Sequence, residues 1–212
     1  MGFIEDGAGG GSAATFGQTQ AYRDIMAYLA EPASSEPDFS KFDFSKYGDV
    51  KDEEPVSLFG KSDLKVFHDR FNEQYNRFKD TKGDGVFRVY AHGNKTLIWD
   101  DNRFIRSAKD FDDVMSIKNP RWLEVDKMKS PMLFLYSCLS AVGNEHGESI
   151  GRKISIKHPN VTVVAFDGYV DYSPSLRGMG RVNKDPHLAD RKGYMVVYKN
   201  GKVMYSKLYK DL

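Results

Sequence analysis

Two short apolar segments each end on a residue that can take part in nucleophilic chemistry. The first reads VFRVYAHGN over residues 86–94, and the second reads MLFLYSC over residues 132–138. The first contains His92, and the second ends on Cys138, which is the single cysteine of the chain. A cysteine nucleophile reacts as the thiolate, which a free thiol supplies only sparingly at neutral pH, so a base nearby is required. His92 is the candidate base for Cys138.

Gly93 follows the histidine directly and has a chemical use of its own. Because it carries no side chain, its backbone N–H can approach a reacting carbonyl and donate to the developing oxyanion. The backbone N–H of Cys138 is the second candidate donor, and Ser137 borders the same place. Ligands gather at the carboxyl ends of the strands in an open α/β sheet, and both segments end there if they are strands.

The segments between and after these two predict an α/β core. Unbroken apolar runs such as MLFLY and VTVVAF are typical of strands covered on both faces, and an intervening helix implies a right-handed parallel crossover. An Asn-Gly pair at 200–201 lies between two β-prone runs and predicts a β-hairpin at the C-terminus. The predicted strands are 86–91, 96–99, 132–136 and 161–166, and the predicted helices are 109–117, a turn or helix at 120–128, and 148–158.

Three regions follow from this pattern. Residues 1–16 are rich in Gly, Ser and Ala and are typical of a flexible linker or the edge of an expressed fragment. Residues 17–82 predict a helical and irregular extension, with a helix over 18–30 and no regular element over 37–55. A second helix is predicted to run to about Lys79, with Ser62-Asp63 as the cap at its start. Residues 83–212 are expected to form the catalytic domain, in which 172–193 is predicted to be a long mobile loop.

Composition excludes several classes of function. Lys and Arg (31) nearly cancel Asp and Glu (30) in this chain of 212 residues, so no nucleic-acid partner is expected. No apolar run is long enough for a membrane helix, and no signal peptide precedes the domain, so no membrane insertion is expected. The histidines lack the spacing of metal ligands, so no metal or other cofactor is expected.

The order of these segments resembles the caspase-like cysteine peptidases, a group that includes caspases, gingipains, clostripain and self-cleaving domains of large bacterial toxins. The features that carry the resemblance are a strand ending in His-Gly, a later strand ending in Ser-Cys, a helix, and a strand leading into Asp-Gly at 167–168. The local text is most similar to caspase-like domains at the C-terminal ends of bacterial Rhs and other polymorphic toxins. The resemblance covers roughly residues 86–170.

The resemblance implies a three-layer sandwich and peptide-bond hydrolysis, with Cys138 as nucleophile and His92 as base. Asp167 and Asp171 lie just past the last strand of that unit and are candidates to select a basic substrate side chain. The resemblance further implies that the chain is an effector or self-processing module of a larger bacterial protein, secreted or delivered into a target cell. The implied partners are a peptide or protein substrate and an immunity protein.

Residues 139–141 read Leu-Ser-Ala, where the toxin domains often have Asn-Thr-Gly. This difference leaves open a second interpretation, a catalytically silent α/β module that binds an immunity or adaptor protein. A third is another Cys-His chemistry on the same layout, such as acyl transfer or deamidation. A lone cysteine at the end of an apolar strand is also often a small buried hydrophobe. Side chains of His92 and Cys138 on opposite faces of the sheet would contradict the catalytic interpretations.

Overall fold

The computed structural model describes residues 52–80, 82–143, 148–171, 181–183 and 194–208. The predicted linker, the helix predicted over 18–30 and most of the segment predicted to be irregular therefore lie outside the described residues.

A mixed sheet of six strands forms the centre of the protein. In sheet order these strands are β1 (Val56–Ser57), β2 (Val86–Tyr90), β6 (Met132–Tyr136), β7 (Thr162–Phe166), β10 (Tyr194–Lys199) and β11 (Lys202–Leu208). The first four are parallel to one another, and β10 runs antiparallel to both of its neighbours. The predicted α/β class with a mainly parallel sheet and a C-terminal hairpin is confirmed.

Two smaller sheets lie beyond the main one. The first contains β3 (His92–Gly93), β4 (Ile98–Trp99) and β5 (Phe104–Ile105), and the second pairs β8 (Tyr169–Asp171) with β9 (Arg181–Asn183). The strand β9 corrects the prediction of a loop throughout 172–193. The sequence of that stretch, rich in Gly, Pro, Ser and charged residues, did not indicate this short strand, which pairs with β8.

The helices are α1 (Lys65–Phe78), α2 (Ala108–Lys118), a 3-10 helix (Pro120–Lys127) and α3 (Ile150–Lys157). Ser107 and Asp110 form a capping box at the start of α2, and the Ser149 hydroxyl accepts the Arg152 N–H at the start of α3. The prediction of a cap at the start of α1 is wrong. That helix begins after Leu64 with no side-chain cap, because the Asp63 carboxylate makes other contacts. No helix in the described ranges is both long and apolar enough to span a membrane.

Side chains alternate between the two faces of the sheet and form two apolar clusters. In β6, Leu133 and Leu135 enter the main core, together with residues of α2 and α3, whereas Met132 and Tyr136 face the other way. We call that second cluster the aromatic core. Its buried members are Tyr90, Met132, Tyr136, Val164, Phe166, Val170, Met195, Val197 and Tyr205.

Helix α1 lies on the aromatic side of the sheet. Phe67 and Phe71 of this helix pack against the aromatic core, and Phe71 meets Tyr90 edge to face at 5.7 Å. Strand β1 and helix α1 therefore both contact the sheet of the predicted catalytic domain, although they come before residue 83. The division of the chain at residue 82 stays a prediction.

Candidate active site

The two predicted site segments leave neighbouring strands at the same height. Tyr90 of β2 and Tyr136 of β6 are paired in register, and the Ala91 N–H donates to the Tyr136 carbonyl at 3.1 Å. His92 and Cys138 each come two residues after this pair. Adjacent strands lie about 4.8 Å apart, so the register brings both residues to one edge of the sheet.

Gly93 lies directly against the segment that carries the cysteine. A Cβ atom added to Gly93 would overlap the Ser137 hydroxyl and would lie 3.0 Å from the Cys138 carbonyl oxygen. It would also lie 3.0 Å from a methyl carbon of Ile98. Only glycine fits here without a shift of its neighbours, and its absent side chain lets the His-Gly and Ser-Cys segments touch.

Both candidate catalytic side chains lie on the aromatic side of the sheet. Cys138 is partly buried and packs against the aromatic core. The His92 ring contacts Phe59 at 5.2 Å and Phe67 at 5.0 Å between centroids, and both phenylalanines pack against that same core. The arrangement that would contradict a Cys-His pair, with side chains on opposite faces, is therefore not the one observed.

Three aromatic rings and one carboxylate surround the His92 imidazole. Trp99 of β4 stacks on it with an interplanar angle of 23°, while Phe67 meets it nearly at a right angle. Asp63 Oδ1 lies 3.2 Å from His92 Nε2, and both side chains are about one quarter exposed (26% and 25%). Nε2 thus faces a carboxylate, and Nδ1 is the other ring nitrogen.

Asp63 is the site residue that sequence reasoning missed. It lies between β1 and α1, outside the segments that carry the motifs, and its position beside Ser62 predicted a helix cap. No local pattern distinguishes a capping carboxylate from one that reaches across to a histidine in another strand. The signal that could have found it is the aromatic residue on either side, Phe59 and Phe67, which frame the same imidazole.

Hydrogen bonds to β7 and to the turn between β7 and β8 fix the loop that carries Cys138. The Ser140 hydroxyl donates to the Ser137 carbonyl at 2.9 Å and accepts the Phe166 N–H at 3.1 Å. The Leu139 N–H donates to the Gly168 carbonyl, and the Ala141 N–H donates to the Phe166 carbonyl. Leu139 has a φ of 54°, in the left-handed region, so the chain turns sharply just after the cysteine.

This loop gives the Leu-Ser-Ala sequence a structural explanation. Leu139 is 5% exposed, so its apolar side chain is accommodated inside the protein at the turn. Ser140 is fully buried, and its hydroxyl joins the loop to the adjacent strand. Asparagine tolerates left-handed φ more readily than leucine does, so burial of Leu139 compensates here for the less favourable backbone conformation.

The backbone N–H of Gly93 is oriented away from β4. The Asn94 N–H donates to the Leu97 carbonyl at 2.9 Å, which makes Asn94 and Leu97 a hydrogen-bonded pair of the antiparallel ladder. Because such pairs alternate with pairs that do not exchange these bonds, Gly93 opposite Ile98 belongs to the second kind. Its N–H therefore points to the opposite edge of β3, and its role as an oxyanion donor stays a prediction.

The remaining predicted site residues have different surroundings. Ser137 is fully buried, and its hydroxyl makes no hydrogen bond within the described part of the chain. Asp167 is 1% exposed and its carboxylate accepts the Tyr194 N–H, so it anchors the start of β10. Asp171 ends β8, directly after Val170, whose carbonyl oxygen lies 4.0 Å from Cys138 Sγ. Recognition of a basic substrate side chain by Asp167 or Asp171 stays a prediction.

The described residues contain no group of three or more His, Cys, Asp or Glu side chains placed to hold a metal ion. No protein-family model matches the chain, and no curated protein and no solved structure is significantly similar to it. The case for a function therefore rests on the geometry of the chain and on the order of its sequence motifs.

Proposed function

We propose that this chain is a cysteine endopeptidase in which Cys138 is the nucleophile and His92 the base. The observation that carries the proposal is the register of β2 and β6, which brings His92 and Cys138 to one edge of the sheet. Both side chains lie on its aromatic side. Contact between the segments at Gly93 supports it further. The strand order and the helices on the sheet are compatible with the three-layer sandwich that the resemblance to caspase-like peptidases implies.

The chemical steps follow from these positions. His92 takes the thiol proton, and the Cys138 thiolate attacks the scissile carbonyl to form a tetrahedral intermediate. The Gly93 and Cys138 N–H groups donate to its oxyanion. When the C–N bond breaks, the imidazolium returns the proton to the leaving amine, and an acyl-enzyme remains. Water, deprotonated by His92, then hydrolyses the thioester and restores the free thiol.

The biological setting belongs to the same proposal. On the resemblance to toxin domains, the chain is an effector or self-processing module of a larger bacterial protein that is secreted or delivered into a target cell. Its substrate is a peptide or protein, and an immunity protein is the expected inhibitory partner. Asp171, the residue after Val170, is the proposed substrate-binding residue, and substrate binding by the buried Ser137 and Asp167 stays a prediction.

The test is to incubate the full chain with a diverse peptide mixture and to detect new peptide termini by mass spectrometry. The wild-type chain is expected to create new termini, and Cys138→Ala is expected to create none while keeping the wild-type thermal midpoint. Asp69→Asn, which removes an exposed carboxylate paired with Lys65 on α1, serves as the control and should cleave like wild type.

Other outcomes identify the competing functions. Cleavage that persists in Cys138→Ala would refute the proposal. A mass change on glutamine without new termini would indicate deamidation or acyl transfer instead. The absence of any reaction, together with an unreactive thiol, would indicate a silent interaction module.

A further inference from the structure

Asp63 is held in place by the turn that joins β1 to α1. Its Oδ2 accepts the Gly60 N–H at 2.7 Å, and its own N–H donates to the Gly60 carbonyl at 3.0 Å. The carboxylate is not used to cap α1, whose N-cap residue Leu64 has no side-chain bond. One oxygen is therefore fixed to the turn, and the other, Oδ1, lies 3.2 Å from His92 Nε2.

We propose that Asp63 is the positioning residue of the site, which holds His92 in the tautomer and orientation that Cys138 requires. The inference rests on the proposed function, since it assigns the third member of the same site. A neutral imidazole carries one N–H, and donation of Nε2–H to a carboxylate leaves Nδ1 as the acceptor. Nδ1 is then free of its proton and takes that of the thiol. Asp63 itself does not exchange a proton and touches no substrate.

The charge of Asp63 has a second effect. Once His92 has accepted the thiol proton, both of its nitrogens carry hydrogen and the ring is cationic, and an adjacent carboxylate stabilises that form. Stabilising the imidazolium also stabilises the thiolate from which the proton came. The thiolate of Cys138 is therefore expected to form at lower pH with Asp63 present than without it.

The surroundings of His92 make Asp63 the relevant charged group. The elements packed on the ring contribute Phe59, Phe67 and Trp99, which carry no charge. Of the other titratable groups near this turn, Asp101, between β4 and β5, accepts the Lys61 backbone N–H, and His68 of α1 meets the ring of Phe59 at 6.5 Å. Both act on the turn or on an intervening ring, whereas Asp63 contacts the imidazole directly.

The test measures the alkylation rate of Cys138 by iodoacetamide on the full chain, followed by intact mass. Because the chain has a single cysteine, every added mass reports this thiol. Five proteins are compared from about pH 5 to 9, where an imidazole changes its charge. They are wild type, Asp63→Asn, the control Asp69→Asn, His92→Ala, and the double variant Asp63→Asn/His92→Ala.

The expected result is a rate at neutral pH about fivefold lower in Asp63→Asn than in wild type, which is the upper end of what a partly exposed charge pair contributes. The rate profile should also shift to higher pH, while Asp69→Asn matches wild type. Adding Asp63→Asn to His92→Ala should change nothing further, because Asp63 acts through the histidine. An Asp63→Asn profile equal to that of wild type, or an equal slowing in both backgrounds, would overturn the inference.

A direct measurement covers the case in which Asp63→Asn does not fold. In wild type, ¹⁵N NMR of the His92 imidazole should show hydrogen on Nε2 and none on Nδ1 when the ring is neutral. The opposite tautomer would overturn the inference without any variant.

The inference and the proposed function fail in different ways. If the wild-type chain cuts no peptide but Asp63→Asn still lowers the alkylation rate of Cys138, Asp63 positions His92 and the peptidase proposal fails. If wild type cuts peptides and Asp63→Asn keeps the same kcat, KM and pH profile, the peptidase proposal stands and the role of Asp63 fails.

Discussion

A buried histidine far from the candidate active site is expected to make stability depend on pH. His158 is 7% exposed, and its two ring nitrogens lie 2.8 Å from Asp112 Oδ1 and 2.9 Å from Asp126 Oδ2. Because carboxylates only accept, both nitrogens donate, and the ring is the doubly protonated imidazolium. The Trp122 indole N–H also donates to Asp112 Oδ1, at 2.9 Å, so the cluster ties the end of α3 to the 3-10 helix and to α2.

The sign of the pH effect follows from the pKa of His158. Burial alone disfavours the charged ring, but the two carboxylates outweigh that cost, and the pKa is raised above its ordinary value of 6.5. A pKa that is higher in the folded than in the unfolded chain means that protonation favours folding. The stabilisation is therefore complete below pH 6.5 and is lost as pH rises through the raised pKa of the folded protein.

The size of the effect can be estimated from the two bonds. A hydrogen bond to a charged group contributes about 1.5–3 kcal/mol when it is shielded from water. The Asp112 side chain is 23% exposed, so its bond to His158 counts as shielded from water, whereas the Asp126 side chain is 56% exposed. The Asp126 bond is therefore discounted to about 0.5–1 kcal/mol, as for surface pairs. His158→Gln is expected to lower the free energy of unfolding by about 2–4 kcal/mol at pH 6.

The assay is urea unfolding of wild type and His158→Gln at several pH values, with stability obtained by linear extrapolation. The difference between the two proteins should be largest near pH 6 and shrink as pH rises. Asp112→Asn should lower the free energy of unfolding more than Asp126→Asn does, because Asp112 is the less exposed partner of His158. A stability difference that stays constant with pH, or the reverse ranking of the two aspartates, would refute the reasoning.

Three further substitutions test the local geometry. Gly93→Ala should slow alkylation of Cys138 and any peptide cleavage, and overpacking should lower the free energy of unfolding by about 1–3 kcal/mol. The labelling rate and urea unfolding measure these two effects. A wild-type labelling rate together with wild-type stability would contradict the contact with Ser137. Ser140→Ala should lower stability by about 1–3 kcal/mol, because the buried Phe166 N–H loses its acceptor; an unchanged unfolding midpoint would show that this bond contributes little. Gly201→Ala should lower the free energy of unfolding by roughly 1–2 kcal/mol, since its φ of 73° disfavours a side chain. It should leave the labelling rate of Cys138 unchanged. A slower labelling rate would contradict the separation of the hairpin from the candidate active site.

The parts of the fold that the sequence predicted well are those whose signal is local. The run MLFLY gave β6 with its observed bounds, because a short apolar stretch bounded by polar residues has few other solutions. The hairpin between β10 and β11 was predicted from its Asn-Gly pair. Asn200 and Gly201 take φ values of 48° and 73°, as a turn with two left-handed residues requires.

The parts that were missed depend on partners distant in the chain. The strand β1 has only two residues and forms because it pairs in parallel with β2. No pattern within Val56–Ser57 therefore predicts it. Strand β9 likewise depends on β8. His92 and Cys138 were predicted at strand ends from the local sequence alone. Asp63 lies beside His92 only because of the path that the chain takes between β1 and α1. Propensity and periodicity carry no information on such contacts.

The central claim, an activated Cys138 beside His92, is tested most directly by labelling with a peptide that carries a thiol-directed electrophile. Wild type is expected to react at Cys138 much faster than free cysteine does, and His92→Ala is expected to fall to the rate of free cysteine. A wild-type thiol that reacts no faster than free cysteine, or a His92→Ala thiol that reacts as fast as wild type, would contradict the account.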